Sequence, residues 1–256
     1  MTDYKDMFDT VFNSASPEEL GCFLRNECVP FEYCERALGR KGIGWENKLI
    51  IAERKDCPVE TVERICKNGG ERFARRFLTE MRHVPDSVLR TLARNNGAKF
   101  YVSEYWRIPD DLKRMFVNEM VCMLDGDAVV YDVTMFEEFV MSQPSLPDDC
   151  METVEKAIQW IGRKPNTSAW TRYDEIAERL GTAMKFMRKP VDEEFASRQF
   201  ARIGDFRNTR KDLHWLVKLA ANPSIGDYIE MELRLKTPDF MRWMVEELLD
   251  ENKSRK

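Results

Sequence analysis

Prolines recur at a nearly constant interval in the first half of the chain. They stand in the dipeptides Val29-Pro30, Cys57-Pro58, Val84-Pro85 and Ile108-Pro109, so successive prolines are 28, 27 and 24 residues apart. An acidic residue follows each proline within two positions. A short sequence motif repeated at this interval is typical of stacked helical units rather than of one closed core. The repeat therefore constrains the architecture more than any other feature of the sequence.

The residues after each proline have helical spacing. Apolar or small residues lie seven and eight positions after it, at Ala37 and Leu38, Ile65 and Cys66, Leu92 and Ala93, and Phe116 and Val117. Together with apolar residues three or four positions after the proline, they describe one face of an α-helix. Proline suits a first helical turn, and acidic residues there meet the positive end of the helix dipole. We predict that each proline begins a helix, as do Pro17, Pro147 and Pro238.

A second apolar segment lies between consecutive proline motifs, and residues 71–81 show it most clearly. One side of this segment is apolar, with Phe73, Ala74, Phe77, Leu78 and Met81. The other side, with the two residues that follow, is basic and contains Arg72, Arg75, Arg76, Arg82 and His83. Glycine and asparagine at 68–70 and 95–97 tolerate the left-handed backbone that ends a helix. Each repeat is therefore predicted to contain two helical pieces.

The pattern changes after residue 118. We predict a single elongated helical-repeat domain over 1–256, with N-terminal repeats at 1–118, an acidic irregular middle segment at 119–165 and C-terminal helices at 166–256. In the middle segment, Asp125-Gly126-Asp127 is interpreted as a turn, followed by a long helix through Met135 and Phe139 and a loop at 143–147. Further helices are predicted near 148–162, 169–187, 191–203, 209–221 and 237–252.

Two of these segments resemble a known repeat family. Asp56–Ile65 and Val84–Ala93 are similar to the variant leucine-rich repeat, which is related in shape to the HEAT-like α-solenoids. The resemblance covers residues 29–118 and, more loosely, residues 213–246. It implies a right-handed stack of helices with a long groove. The predicted fold class is therefore all-α, an α-solenoid of stacked helical repeats, and the alternative is an irregular α-helical bundle with well-marked helix starts.

Composition narrows the class of protein further. Apolar residues make up 43% of the 256 residues and charged residues 33%, which suits a folded helical protein. No apolar run approaches the roughly 20 residues of a membrane span, and the first residues lack the apolar core of a signal peptide. The seven cysteines show no paired spacing, which favours reduced thiols and a cytoplasmic location. We expect no membrane association.

The sequence contains no motif that indicates catalysis, a cofactor or a metal. The two histidines, His83 and His214, are far apart, and the glycines at 39–44 follow a helix rather than the strand that a phosphate loop requires. Cys22, Cys28 and Cys34 are evenly spaced, and iron–sulfur ligation was weighed because some variant leucine-rich repeat proteins hold such a cluster. Their spacing is wider than that of cluster motifs, so we interpret them as small packing residues.

Charge is unevenly distributed along the chain. The net charge is −5, yet residues 64–114 have twelve basic residues against six acids, and residues 115–160 have one lysine against ten acids. A solenoid would align equivalent positions of successive repeats. We therefore predict a basic strip formed by Arg72, Arg75, Arg76, Arg82, Arg90 and Arg94. Tyr105 and Trp106 are predicted to add an aromatic anchor, and Trp106 and Trp170 are expected to be exposed.

These features predict a non-enzymatic protein that binds a protein partner through a basic groove. Such a strip also suits the phosphates of a nucleic acid, so nucleic-acid binding is the alternative. A third interpretation is an alkylated-base DNA glycosylase, because some HEAT-like solenoids are such enzymes and Trp106 and Asp110 are four residues apart. Two structural roles for the same arginines stay open, as a solvated helix face or as partners of the acidic segment.

Overall fold

The described residues of the computed structural model, which are 4–124, 130–166, 172–188, 192–203 and 210–255, form sixteen α-helices and no β-strand. The prediction of an all-α fold is confirmed. The chain divides into two compact units, Met1–Val102 and Ser103–Lys256. The predicted turn at 125–127 and Trp170 lie outside the described residues. Among the described helices, none has both the length and the apolar character that crossing a membrane requires.

The first unit is built from eight short helices. Their bounds are α1 Tyr4–Ser14, α2 Pro17–Arg25, α3 Phe31–Leu38, α4 Trp45–Ala52, α5 Val59–Asn68, α6 Gly70–Glu80, α7 Asp86–Ala93 and α8 Asn96–Ser103, of which α8 ends one residue inside the second unit. The prediction of proline-led helices is confirmed, since Pro30, Pro58 and Pro85 immediately precede α3, α5 and α7. Each proline-led helix is followed by a second helix, as predicted.

Alternate helices are neighbours in this unit. α2 packs against α4, α4 packs against α6, and α5 packs against α7. Their apolar faces meet in a core that includes Leu24, Ile51, Phe73 and Phe77, all fully buried. Gly70 has a φ of +72°, a backbone conformation that glycine adopts at no steric cost, and it lets α6 follow α5 without a longer loop.

A buried arginine links three elements of the first unit. The side chain of Arg54 follows α4 and is only 2% exposed. Its guanidinium donates to the carbonyls of Leu24, Asn26 and Val29 at 2.7–3.0 Å, and it forms a bidentate pair with the Asp56 carboxylate. These acceptors are at the end of α2 and in the turn before α3. Arg54 therefore satisfies backbone groups that the helix end leaves without partners.

The second unit also contains eight helices within the described residues. Their bounds are α9 Asp110–Leu124, α10 Val130–Ser142, α11 Asp148–Gly162, α12 Tyr173–Arg188, α13 Glu193–Ile203, α14 Arg210–Ala220, α15 Asp227–Lys236 and α16 Asp239–Arg255. The predicted long helix after residue 130 and the loop at 143–147 are found. The helices predicted near 148–162, 169–187, 191–203, 209–221 and 237–252 correspond to α11, α12, α13, α14 and α16, and residues 169–171, 191 and 209 of these predictions lie outside the described residues. The sequence interpretation missed α15, because its buried residues are few and alternate with charges.

The predicted subdivisions of the chain stay a prediction. The predicted boundary after residue 118 falls inside α9, whereas the compact units meet between Val102 and Ser103. Within the predicted middle segment at 119–165, the described residues lie mainly in α9, α10 and α11, which include the long helix and the helix near 148–162 predicted there. Helices α9 and α10 place apolar residues around much of their circumference, which includes the fully buried Phe116, Phe136 and Phe139.

A buried lysine holds the end of α10 in the second unit. Lys218 of α14 is 1% exposed, and its Nζ donates to the carbonyls of Val140, at 2.8 Å, and Gln143. Gln143 is fully buried, and its Nε2 donates to the carbonyls of Ser103 and Tyr105 at 3.1 and 2.9 Å. Together these side chains satisfy the polar backbone groups where α10 ends inside the core.

Candidate partner-binding face

Helix α6 presents a basic surface for a simple geometric reason. It buries Phe73, Ala74, Phe77 and Leu78 against its neighbours, so the residues between them must face outward. Those residues are Arg72, Arg75 and Arg76, and all three are exposed, as predicted. We call these three side chains the α6 arginine face. The structure thus brings together half of the arginines in the predicted strip.

Ion pairing leaves most of this face available. Arg76 pairs with Glu80 one turn along the helix. Glu71, at the start of α6, accepts a hydrogen bond from the Tyr101 hydroxyl at 2.9 Å. Within the described part of the chain, the Arg72 and Arg75 guanidinium groups have no hydrogen bond or ion pair. Two cations on this face are therefore open to an external acceptor.

The other predicted arginines belong to different elements. Arg82 is exposed in the turn after α6, Arg90 lies on α7 and Arg94 is the exposed residue that ends α7. Arg90 pairs with Asp86 at 3.7 Å across one turn of α7. α7 packs against α5, whereas α6 packs against both α4 and α5. The predicted strip is therefore distributed over two helices and the segments after them, and the α6 arginine face is its densest part.

Arginines also recur on the proline-led helices, at the sixth residue after Pro30 and Pro58. Arg36 pairs with Asp9 at 3.0 Å, and Arg64 pairs with Glu35. The same Glu35 carboxylate accepts a hydrogen bond from the Thr61 hydroxyl at 2.5 Å, and these donors lower its pKa although burial opposes them. These arginines join neighbouring helices of the first unit. Their acceptors, Asp9 and Glu35, lie in the first unit and not in the acidic segment 115–160 that was considered as a partner above.

The predicted aromatic anchor is not at the surface. Tyr105 and Trp106 are 7% and 5% exposed, so the expectation that Trp106 is exposed was wrong. The Trp106 ring packs edge-on against Trp243 with a centroid separation of 5.4 Å, and the Arg107 guanidinium lies 5.6 Å from its centre. The segment before Pro109 is polar and turn-like in sequence, but long-range packing inside the second unit covers its rings. Neither residue offers a surface to a partner.

The two residues on which the glycosylase interpretation depends have different surroundings. Trp106 is buried before α9, whereas Asp110 begins α9 and pairs with Lys113 at 3.1 Å.

Of the three evenly spaced cysteines, only Cys34 is buried, so the packing role proposed for Cys22 and Cys28 was wrong. Across the described residues, no group of three or more His, Cys, Asp or Glu side chains is placed to hold a metal ion.

A carboxyl pair beside the α6 arginine face was not found by sequence reasoning. Glu53 ends α4 and Glu80 ends α6, and the packing of α4 on α6 brings the two carboxyl groups together. Burial, followed by the hydrogen bond and repulsion from Glu80, raises the pKa of Glu53 to about 7, although Arg25 and Arg76 oppose the shift. The pair therefore holds a proton at mildly acidic pH. The residues are 27 apart, so no local pattern reveals them.

Exchanging Glu53 for glutamine is expected to change how stability depends on pH. Because the folded-state pKa is raised above the unfolded value, this carboxyl stabilises the fold fully below pH 4.5 and loses that effect as pH rises through about 7. The variant should therefore exceed the wild type in stability at pH 8, by about 1–2 kcal/mol after allowance for solvent screening. Urea denaturation at pH 5 and pH 8 checks this. If the difference in unfolding free energy between the variant and the wild type were the same at pH 5 and pH 8, the prediction would be wrong.

The chain matches no protein-family model, no curated protein and no solved structure at significant similarity.

Proposed function

We propose that this chain is a non-enzymatic α-solenoid, of the HEAT-like or variant leucine-rich repeat kind, that binds another protein through the α6 arginine face. The alternation of neighbours in the first unit supports the solenoid, because stacked helical repeats place each helix against its equivalent in the next repeat. The observation on which the binding function depends is the pair of exposed, unpaired guanidinium groups of Arg72 and Arg75 beside Arg76.

An acidic protein surface is the partner that this face fits best. Guanidinium groups bind carboxylates through two parallel hydrogen bonds, and three of them on adjacent turns select for clustered carboxylates. Glu80 and Glu71 flank the face, where Glu80 is paired with Arg76 and Glu71 is held in place by the Tyr101 hydroxyl, so the three arginines outnumber the acids beside them. Charge complementarity of this kind accelerates association and makes it sensitive to salt. A cytoplasmic location stays a prediction.

Charge reversal at two positions tests the protein-binding function. We expect the double variant Arg72→Glu, Arg75→Glu to recover the wild-type partners at about one tenth of their level or less, because two attractions become repulsions. The measurement is affinity purification followed by quantitative mass spectrometry. The matched control is Lys41→Glu, Lys55→Glu, which makes the same charge change at exposed lysines of the same unit. Equal recovery by both variants and the wild type would refute the proposal.

Nucleic-acid binding remains the second candidate, because the same guanidinium groups bind phosphates. A mobility-shift titration with mixed-sequence double-stranded DNA and single-stranded RNA at several salt concentrations distinguishes the two candidates. Binding that weakens steeply with salt and is lost in the Arg72→Glu, Arg75→Glu variant would favour nucleic acid. We expect no such binding.

A further inference from the structure

Helix α15 exposes an apolar stripe on the side opposite its buried face. It buries Ile229 and Leu233 in the second unit. Tyr228, Met231 and Leu235 lie three and four positions apart on the other side, and they are 63%, 50% and 68% exposed. Phe240, in the first turn of the next helix, is 63% exposed as well. Monomeric proteins rarely leave large apolar residues grouped in this way unless the surface binds something.

Acidic residues outnumber basic ones on the two helices that carry the exposed apolar residues. α15 and α16 together contain eight acidic residues and five basic ones. Every basic side chain described on these two helices is already in an ion pair, and the pairs are Arg234 with Glu230 and Asp250, Lys236 with Glu232, Arg242 with Asp239, and Lys253 with Glu230. The local cations are thus neutralised, and the excess charge is negative.

Two acids of α15 and α16, Asp227 and Glu246, form no ion pair within the described ranges, and Asp227 adjoins Tyr228 at the start of the stripe. An acidic partner would therefore meet repulsion at this surface. A second copy of the chain docking through the same stripe would bring a second surface with the same excess of acids, which is less favourable than a basic partner. A basic partner gains an attraction at the same place.

We propose that α15 is a docking surface for a basic amphipathic helix of another protein. Apolar residues three, four and seven positions apart in a partner helix match the spacing of Tyr228, Met231 and Leu235 on two turns of α15. Large flexible and aromatic side chains such as these adapt to varied apolar partners. The surface is in the second unit and has the opposite charge preference to the α6 arginine face, so it does not depend on the function proposed above.

The test uses the full chain and a synthetic peptide of known composition. The probe is a fluorescent peptide of about fourteen residues made only of leucine and lysine, with the leucines on one helical face. Its counterpart replaces every lysine with glutamate and keeps the same leucines. Fluorescence anisotropy measures binding of each peptide. We expect the lysine peptide to bind, its affinity to fall as salt rises, and the glutamate peptide to bind at least about tenfold more weakly.

Variants of the stripe locate the binding. The double variant Met231→Ser, Leu235→Ser should weaken the lysine peptide about tenfold or more, since it removes two exposed apolar contacts without altering the core. Tyr131→Ser is the matched control, because Tyr131 is an equally exposed aromatic residue on α10 in the same unit. Equal binding of both peptides, equal loss in the control, or no loss in the double variant would overturn the proposal. A wild-type dimer that the double variant abolishes would overturn it as well.

Discussion

Replacing Arg54 with methionine is expected to lower the free energy of unfolding of the first unit by about 3–5 kcal/mol. The guanidinium donates to the carbonyls of Leu24, Asn26 and Val29, and it neutralises the Asp56 carboxylate. Methionine fills most of the volume but donates no hydrogen bond. The carbonyls at the end of α2 would then be buried without partners, and each such acceptor costs about 1–3 kcal/mol.

The Arg54 side chain also connects segments that lie far apart in the sequence. Its acceptors belong to α2 and to the turn before Pro30, while Asp56 precedes Pro58. We therefore expect the loss to extend through α2–α5 rather than to remain local, because this one side chain binds groups in several of these segments. Amide hydrogen exchange read by mass spectrometry reports this region separately from the second unit.

Two further variants make the Arg54 prediction specific. Arg54→Lys keeps the positive charge, but an ammonium group cannot reproduce the several N–H donors of the planar guanidinium. We therefore expect an intermediate loss of about 2 kcal/mol in the free energy of unfolding. Arg72→Met is the matched control, since this arginine is exposed and has no partner within the described residues. The control should change stability by about 0.5 kcal/mol or less. Similar effects of Arg54→Met and Arg72→Met would show that the buried hydrogen bonds contribute little.

Replacing Lys218 with alanine is the change expected to affect the second unit most, with a loss of about 3–4 kcal/mol. The substitution leaves a cavity where the fully buried aliphatic stem lay, and it removes the donor to the carbonyls of Val140 and Gln143. Lys218→Met fills the cavity without restoring the donor. It should therefore lose about half as much, which separates packing from hydrogen bonding. Urea denaturation measures the loss of stability in each of the two variants. Hydrogen exchange of α10 and α14 in the native proteins shows whether the loss occurs where these helices meet.

Lys218 also makes the stability of the second unit depend on pH. Burial, aided by repulsion from Lys113, lowers the pKa of Lys218 well below its ordinary value. The unfolded chain therefore binds this proton more tightly than the folded chain does, and stability rises with pH up to about 10, near the ordinary lysine pKa. We expect the stability of the wild type relative to Lys218→Met to increase between about pH 7 and pH 10. A constant difference would contradict a depressed pKa.

Helix starts were readable from the sequence because they depend on local chemistry. Proline restricts its own φ and removes a donor, acids meet the dipole, and Ser16 forms a capping box with Glu19 at the start of α2. None of these effects needs a distant residue. Helix α6 was predicted, with its buried and exposed sides, for the same reason, since its apolar and basic residues separate at the helical period. Helix α15 was missed because its apolar residues lie on both sides.

Burial and pairing of individual side chains depend on residues far away in the chain. Trp106 is covered by packing that includes Trp243, Arg54 reaches carbonyls 25 to 30 residues earlier, and Lys218 reaches carbonyls 75 and 78 residues earlier. A periodic pattern predicts which side of a helix is apolar, but it does not predict which other helix packs against that side. The all-α class and the order of most helices thus follow from short-range chemistry. Which arginines stay open to a partner depends on tertiary packing, because several of them, such as Arg36 and Arg64, pair with carboxylates 27 and 29 residues away in the sequence.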